Sequence, residues 1–216
     1  MSKQFEAGVT LLGGGPLRAA DLSAALAYAP HLVCADGGAN AVASRTPDLI
    51  VGDLDSLVDR TSWAARLSDN LIHDPDQDTT DFEKCLAHLS APFVVGVGFL
   101  GGRIDHELAV LSALVVADRP IVLIGEVDVV FALRGTVTIE TTPGQRVSIF
   151  PLMPVSARSE GLKWPLTGLA LAAGGRIATS NEATGRHVTL ECDQPGALII
   201  LPKDQLSNVL AAFGVV

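Results

Sequence analysis

The chemistry of this 216-residue chain is concentrated in its carboxylates. The stretch DPDQDTTDFEK, from Asp74 to Lys84, holds five of them, and VGDLDS sets Asp53 and Asp55 two residues apart after an apolar run. Each has an ordinary structural explanation. Thr80 followed three residues later by Glu83 spells a capping box, and Asp78 or Asp81 at a helix start complements the macrodipole. Asp53 and Asp55 fit an Asx-type turn, with Ser56 capping the next helix. These explanations leave over Asp74 and Asp76, because extra like charges within a few ångströms repel unless a cation sits among them. In a turn Asp53 and Asp55 can aim at one ion, and with Asp81 they offer hard oxygen ligands from two loops. Such a set suits Mg²⁺, and Mg²⁺ commonly accompanies phosphates.

Further loops add polar groups. GGRIDH puts Arg103 and Asp105 behind two glycines, where backbone can approach a ligand closely and a guanidinium can fork onto phosphate oxygens. The alternative there is a surface pair between Arg103 and Asp105. His106 stands at the mouth of the following helix, a place filled more often for structure than for catalysis. In CADGGAN, a strand followed by a tight turn, Asp36 can accept hydrogen bonds from a donor-rich ligand and Asn40 can donate or accept. Gly13–Gly15 in LLGGGP would let a phosphate approach backbone N–H groups near a helix start. No GxxxxGK[ST] follows any strand, which excludes a P-loop kinase, and these glycines lack GxGxxG spacing. Trp164, in SEGLKWPL, either packs, the commoner role, or stacks on a flat ligand.

The elements that must position these loops alternate along the first half. GVTLL, HLVCA, DLIVG, FVVGVGFL and IVLIG read as strands, with AADLSAALAYA, TDFEKCLAHLS and HELAVLSALVVA as helices between them. Each strand hands over to Gly or Asp, and ligands of open α/β sheets bind at that edge. From about Glu126 the pattern changes to short β-branched runs, TVTIE, RVSIF, HVTLE and ALIIL, closed by the helix DQLSNVLAAF. The expectation is an α/β domain over 1–125 with a mainly parallel sheet, and a small antiparallel β-sandwich over 126–216.

The remaining composition narrows the partners. With 15 Lys plus Arg against 24 Asp plus Glu, the net charge of −9 repels nucleic acid and anionic membranes. Only four residues are lysines, Lys3, Lys84, Lys163 and Lys203, so a bound anion must lean on Arg, backbone amides or a metal. Three scattered cysteines form no CxxC pair and suggest neither zinc nor disulfides, which points to the cytoplasm. No apolar run approaches the roughly 20 residues of a membrane span, and the N-terminus has no secretory signal pattern.

Taken in order, ADGGAN, GDLDS, DQDTTDFEK, GGRIDH, GLKW and TSNEATG resemble the thiamin pyrophosphokinase family over residues from about 34 to 185. Residues 57–72 and 126–150 carry no part of the resemblance. It implies a Rossmann-like three-layer α/β domain, a C-terminal β-sandwich, and a homodimer whose active sites lie between the α/β domain of one subunit and the β domain of the other. It further implies that the hydroxyethyl oxygen of thiamin attacks the β-phosphorus of ATP, giving thiamin diphosphate and AMP. Asp53, Asp55 and Asp81 match the family's Mg²⁺ and pyrophosphate positions. Asp36, Gln77 and Trp164 match positions facing the thiamin rings, Trp164 from the partner subunit, and Arg103 and Asp105 match the loop beside the phosphates.

On this reading the positive partners of the acidic stretch are Mg²⁺ and the thiazolium of thiamin, the metal replacing the missing lysines. Asp81 and Asp105 are candidates to take the alcohol proton, while a late transfer to phosphate would need no base. Two other readings use the same crevice: pyrophosphoryl transfer to another heterocyclic alcohol such as a pterin, and a non-catalytic thiamin carrier. Against the carrier stand the carboxylates at 53, 55 and 81, since a carrier of a cation has no use for a metal cluster.

Overall fold

The computed structural model describes residues 2–215, and the chain is a mixed α/β protein of two compact units. The first runs to Ala113 and takes in Leu123–Gly125; the second is Leu114–Val122 and everything from Glu126 onward.

In the first unit the apolar runs are strands. Val9–Leu12 pairs in parallel with Val94–Val97, in the register Val9 to Val94, and both are buried throughout. His31–Ala35, Leu49–Gly52 and Leu71–His73 form a second parallel ladder, and His31–Ala35 packs beside Val9–Leu12. Strands covered on both faces have no solvent side to make polar, which is why they read as unbroken apolar runs. Leu71–His73 escapes the hydropathy pattern because it is short and only half-buried.

The helices are Ala19–Tyr28, Arg60–Leu67, Asp81–His88 and Ile104–Val116, the last ending in the second unit. Asp81–His88 starts at the anticipated capping box: Thr80 Oγ accepts from the Glu83 N–H at 3.3 Å and the Glu83 carboxylate accepts from the Thr80 N–H at 2.9 Å. Arg60–Leu67 lies where the sequence pattern is silent, and Asp59 caps it by accepting from the Ser62 N–H. DGGAN differs from the expected tight turn: Asp36–Val42 is a 3₁₀ helix. The strands hand over directly to Gly13, Asp36, Asp53, Asp74 and Gly98, so their C-terminal ends deliver the loops singled out above.

The second unit is antiparallel. Arg146–Pro151 lies between Ala178–Glu182 and Ala197–Pro202, and the latter also pairs with Asp128–Ala132. A four-stranded sheet orders Thr136–Glu140, His187–Cys192, Val155–Glu160 and Leu169–Leu171. Thr136–Glu140 alternates exposed and buried residues, as its sequence does. VSARSE and ATSNE do not announce themselves as strands, since Ser, Ala and Asn have little β preference and the ladders on either side hold them. The helix Leu206–Ala212 buries Leu206, Val209 and Leu210. Among the described residues no helix is long and apolar enough to cross a membrane.

Candidate functional site

The strand-end loops of the first unit bound a cleft of about 840 Å³, a size usual for a small-molecule site. Asp36, Asn40, Asp53, Gln77, Asp81 and Arg103 line it; Asp55 and Asp105 stand outside its wall, and Trp164 belongs to the second unit.

The metal-competent group differs from the expected trio. Carboxylate oxygens of Asp36, Asp53 and Asp55 lie within 4.8 Å of one another, and Asp81 is not part of that group. Asp36, expected at the substrate, sits at the strand end with a left-handed φ of 40° and is buried, 3% exposed. Its Oδ2 accepts weakly from the Ser56 N–H at 3.3 Å, while Oδ1 is buried with no hydrogen-bond partner among the described residues. A buried acceptor left unsatisfied is costly, so this oxygen marks a ligand position. The Asp53 carboxyl lies below the usual range, first because it accepts the Asp55 N–H at 3.2 Å; the nearby Gln77 amide, whose Nε2 donates to the Pro75 carbonyl at 3.3 Å, and the Lys84 charge lower it further. Asp53 therefore stays charged, and the cluster offers a hard cation three carboxylate oxygens, the donor type Mg²⁺ prefers.

Asp81 stands instead with Lys84, whose Nζ is 3.6 Å away. The Lys84 side chain is buried, 4% exposed, yet reaches the cleft wall. Positions three apart on a helix share a face, and the capping box fixes the turn that carries both. Partial burial pushes the Asp81 carboxyl up, Lys84 opposes that, and Asp36 and Asp53 add repulsion. Lys84 is the residue that sequence reasoning missed. Lysine scarcity drew attention away from it, although its spacing from Asp81 was there to be read.

The leftover charges at 74 and 76 have a local answer rather than a cation in the cleft. The Asp74 carboxylate meets His88 Nε2 at 3.0 Å and accepts the Asp76 N–H at 3.2 Å, and His88 is the main reason its carboxyl lies low. Asp76 accepts from the Thr79 hydroxyl at 2.7 Å and from the Asp78 N–H at 3.0 Å, which lowers it likewise. The loop is a run of Asx turns tied to the far end of its own helix.

Other expectations shift too. Asn40 spends its amide on the neighbouring loop, donating to the Ser56 carbonyl at 2.8 Å and accepting from the Val58 N–H at 2.9 Å, so it clamps the acidic turn. The Gly13 and Gly15 N–H groups donate to the Val97 and Gly98 carbonyls, both at 2.8 Å, and do not cradle a phosphate. At those positions a Cβ would lie 2.5 and 2.7 Å from the Gly98 carbonyl, so the glycines serve close backbone approach. Arg103 and Asp105 form the surface pair, with Nη2 to Oδ2 at 2.5 Å, which holds the Asp105 carboxyl at about 2. Arg103 nonetheless lines the cleft, as does His106 from the first turn of its helix. Trp164 is 53% exposed with Lys163 Nζ 4.7 Å from its ring centre, and so does not fill a core within its own chain. Burial pushes the Cys34 thiol up to about 12, leaving it unreactive.

Comparison with known proteins bears directly on this arrangement. Residues 22–124 match the family model described as thiamin pyrophosphokinase, catalytic domain, and residues 136–196 match that for the thiamin pyrophosphokinase vitamin B1 binding domain. Thiamine pyrophosphokinase 1 of Arabidopsis thaliana is 32% identical over 202 residues, covering 77% of this chain and 76% of that protein. The crystal structure of thiamin pyrophosphokinase from Geobacillus thermodenitrificans is 27% identical with a TM-score of 0.72, covering 93% of this chain and 99% of that one. Thiamin pyrophosphokinase from Candida albicans, 18% identical, shares the fold at a TM-score of 0.76 over 93% of each chain.

Proposed function

The chain belongs to the thiamin pyrophosphokinase family, an ATP-dependent diphosphotransferase that makes thiamin diphosphate, and from that premise we propose how its residues divide the work. Asp36, Asp53 and Asp55 hold Mg²⁺, with Asp81 beside them. The observation that carries this is the buried, unsatisfied Oδ1 of Asp36, within a group of three carboxylates whose oxygens lie within 4.8 Å of one another. When bound, the metal supplies charge neutralisation for the triphosphate.

The chain's own groups do the positioning. Gln77 lines the cleft beside Asp53, where its amide orients the thiamin ring system. Arg103, already charged and on the cleft wall, turns from Asp105 toward phosphate oxygens; its present partner is exposed, and such a pair is weak. Asp105, held at about 2, is a poor proton acceptor, whereas Asp81, raised by burial, is the better candidate to accept the alcohol proton. Transfer of this kind needs alignment and charge stabilisation more than covalent help.

We read residues 1–125 as a Rossmann-like catalytic domain and 126–216 as a β-sandwich that binds thiamin and dimerises. The chain works as a cytoplasmic homodimer in which Trp164 stacks on thiamin in the partner's site. Its 53% exposure supports that role, as does the match of residues 136–196 to the vitamin B1 binding domain model. Three buried, unbridged cysteines suit a reducing compartment.

The test is to incubate the protein with thiamin, ATP and Mg²⁺ and resolve the nucleotides by chromatography. AMP with an equal amount of thiamin diphosphate is expected, and neither without Mg²⁺. ADP with thiamin monophosphate, or turnover indifferent to chelation, would refute the proposed division of work.

A further inference from the structure

We propose that Lys84 is a catalytic residue: its ammonium donates to the pyrophosphoryl group as that group passes from ATP to thiamin. The inference rests on the pyrophosphoryl-transfer reading above and gives a role to the last residue of DQDTTDFEK, which lies outside the metal cluster.

The place of the side chain is the first reason. Lysines are almost never buried unless paired, yet Lys84 is 4% exposed, and its ion pair is to Asp81 at 3.6 Å, long for a hydrogen bond. An ammonium has three donors, so this contact leaves capacity for an anion in the cleft it lines. The second reason is electrostatic. The Lys84 charge is a minor influence on Asp53, Asp74 and Asp76, which local hydrogen bonds hold low, and it is the main one opposing the burial of Asp81, so its charge is directed at Asp81 on the cleft wall. Asp74 and Asp76 are satisfied locally, and with Asp36, Asp53 and Asp55 engaged on a cation the ammonium is left with Asp81 alone. The third reason is rigidity. The Lys84 N–H donates to the Thr80 carbonyl at 2.9 Å inside a capped first turn, which fixes the backbone, and the buried stem and the Asp81 pair restrict the ammonium before substrate arrives.

In the step itself a bond forms between the thiamin hydroxyl oxygen and the β-phosphorus. The bond from that phosphorus to the oxygen bridging it to the α-phosphorus breaks, and its electron pair leaves with AMP. The hydroxyl proton passes to the Asp81 carboxylate and from there to water, and no oxidation state changes. Lys84 keeps its proton and stabilises the non-bridging oxygens of the moving group, over which charge is spread.

Lys84→Met in the full chain tests this. With saturating thiamin, ATP and Mg²⁺, kcat for AMP formation is expected to fall about 10²–10³-fold. Thiamin affinity by calorimetry and the melting temperature should stay close to wild type. A merely structural lysine would give the reverse, a lowered melting temperature with near-normal kcat in the folded fraction, and that result would overturn the proposal. If Lys84→Met does not fold, Lys84→Arg keeps the charge the carboxylates need but moves its donors onto a planar fork. A loss of about tenfold or more in kcat with normal melting supports the role, and an unchanged kcat overturns it. Absence of AMP from the wild-type protein would instead remove the underlying transfer reading, so the two failures are distinguishable.

Discussion

At the scale of single residues, two aspartates with opposite perturbations carry the site. Asp53 is held low by local hydrogen bonds and stays charged, whereas Asp81 is held high by burial. Binding a cation beside Asp81 favours its charged form, so Mg²⁺ affinity should weaken as pH falls through the raised value. Asp81→Asn should flatten that dependence in Mg²⁺ titrations carried from neutrality down into the ordinary carboxylate range. The same variant should lose about 10²-fold or more in kcat. Its melting temperature should stay within a few degrees of wild type, because relief of the burial that disfavours the Asp81 charge offsets loss of its pair with Lys84. Near-normal turnover would reduce Asp81 to a helix-start residue.

At the scale of elements, the acidic cluster depends on how closely two strand ends approach. A Cβ on Gly52 would lie 2.6 Å from the Cβ of Asp36, so Gly52→Ala must displace the buried carboxylate or the strand. Overpacking of this kind costs about 1–3 kcal/mol, and Mg²⁺-dependent turnover should fall with it. Chemical denaturation beside an activity assay checks both, and unchanged activity would mean that Asp36 has no part in the cluster. The loop ahead of Asp81–His88 is pinned by Asp74 on His88. Because folding lowers the Asp74 carboxyl, its stabilisation is present above the ordinary carboxylate range and is lost as pH falls through the lowered folded value. Asp74→Asn should therefore melt below wild type near neutrality, with the gap closing in acid. A pH-independent gap would point to a packing defect instead.

At the scale of the whole molecule, the proposed shared site makes assembly a condition of activity. Light scattering at assay concentrations should give a dimer, and dilution into monomer should abolish turnover; a stable active monomer would contradict the shared site. Trp164→Ala should raise KM for thiamin about tenfold, by loss of stacking, while changing KM for ATP much less. Steady-state kinetics with each substrate varied separates this from a packing role, which would alter both alike.

Much of this was legible in the sequence. The strands Val9–Leu12, His31–Ala35 and Leu49–Gly52 announced themselves because burial on both faces demands apolar runs, and the Thr80 to Glu83 spacing dictates its cap from neighbours alone. The order of the motifs named the family, since DQDTTDFEK and GGRIDH are specific strings that need no coordinates. What the sequence could not settle was which of several carboxylates meet. Asp36 joins Asp53 and Asp55 across two strand ends, Asp74 turns to His88, and a lone lysine is buried beside Asp81. Those choices depend on distances between residues far apart in the chain and on desolvation, quantities that exist only once the loops are folded against one another.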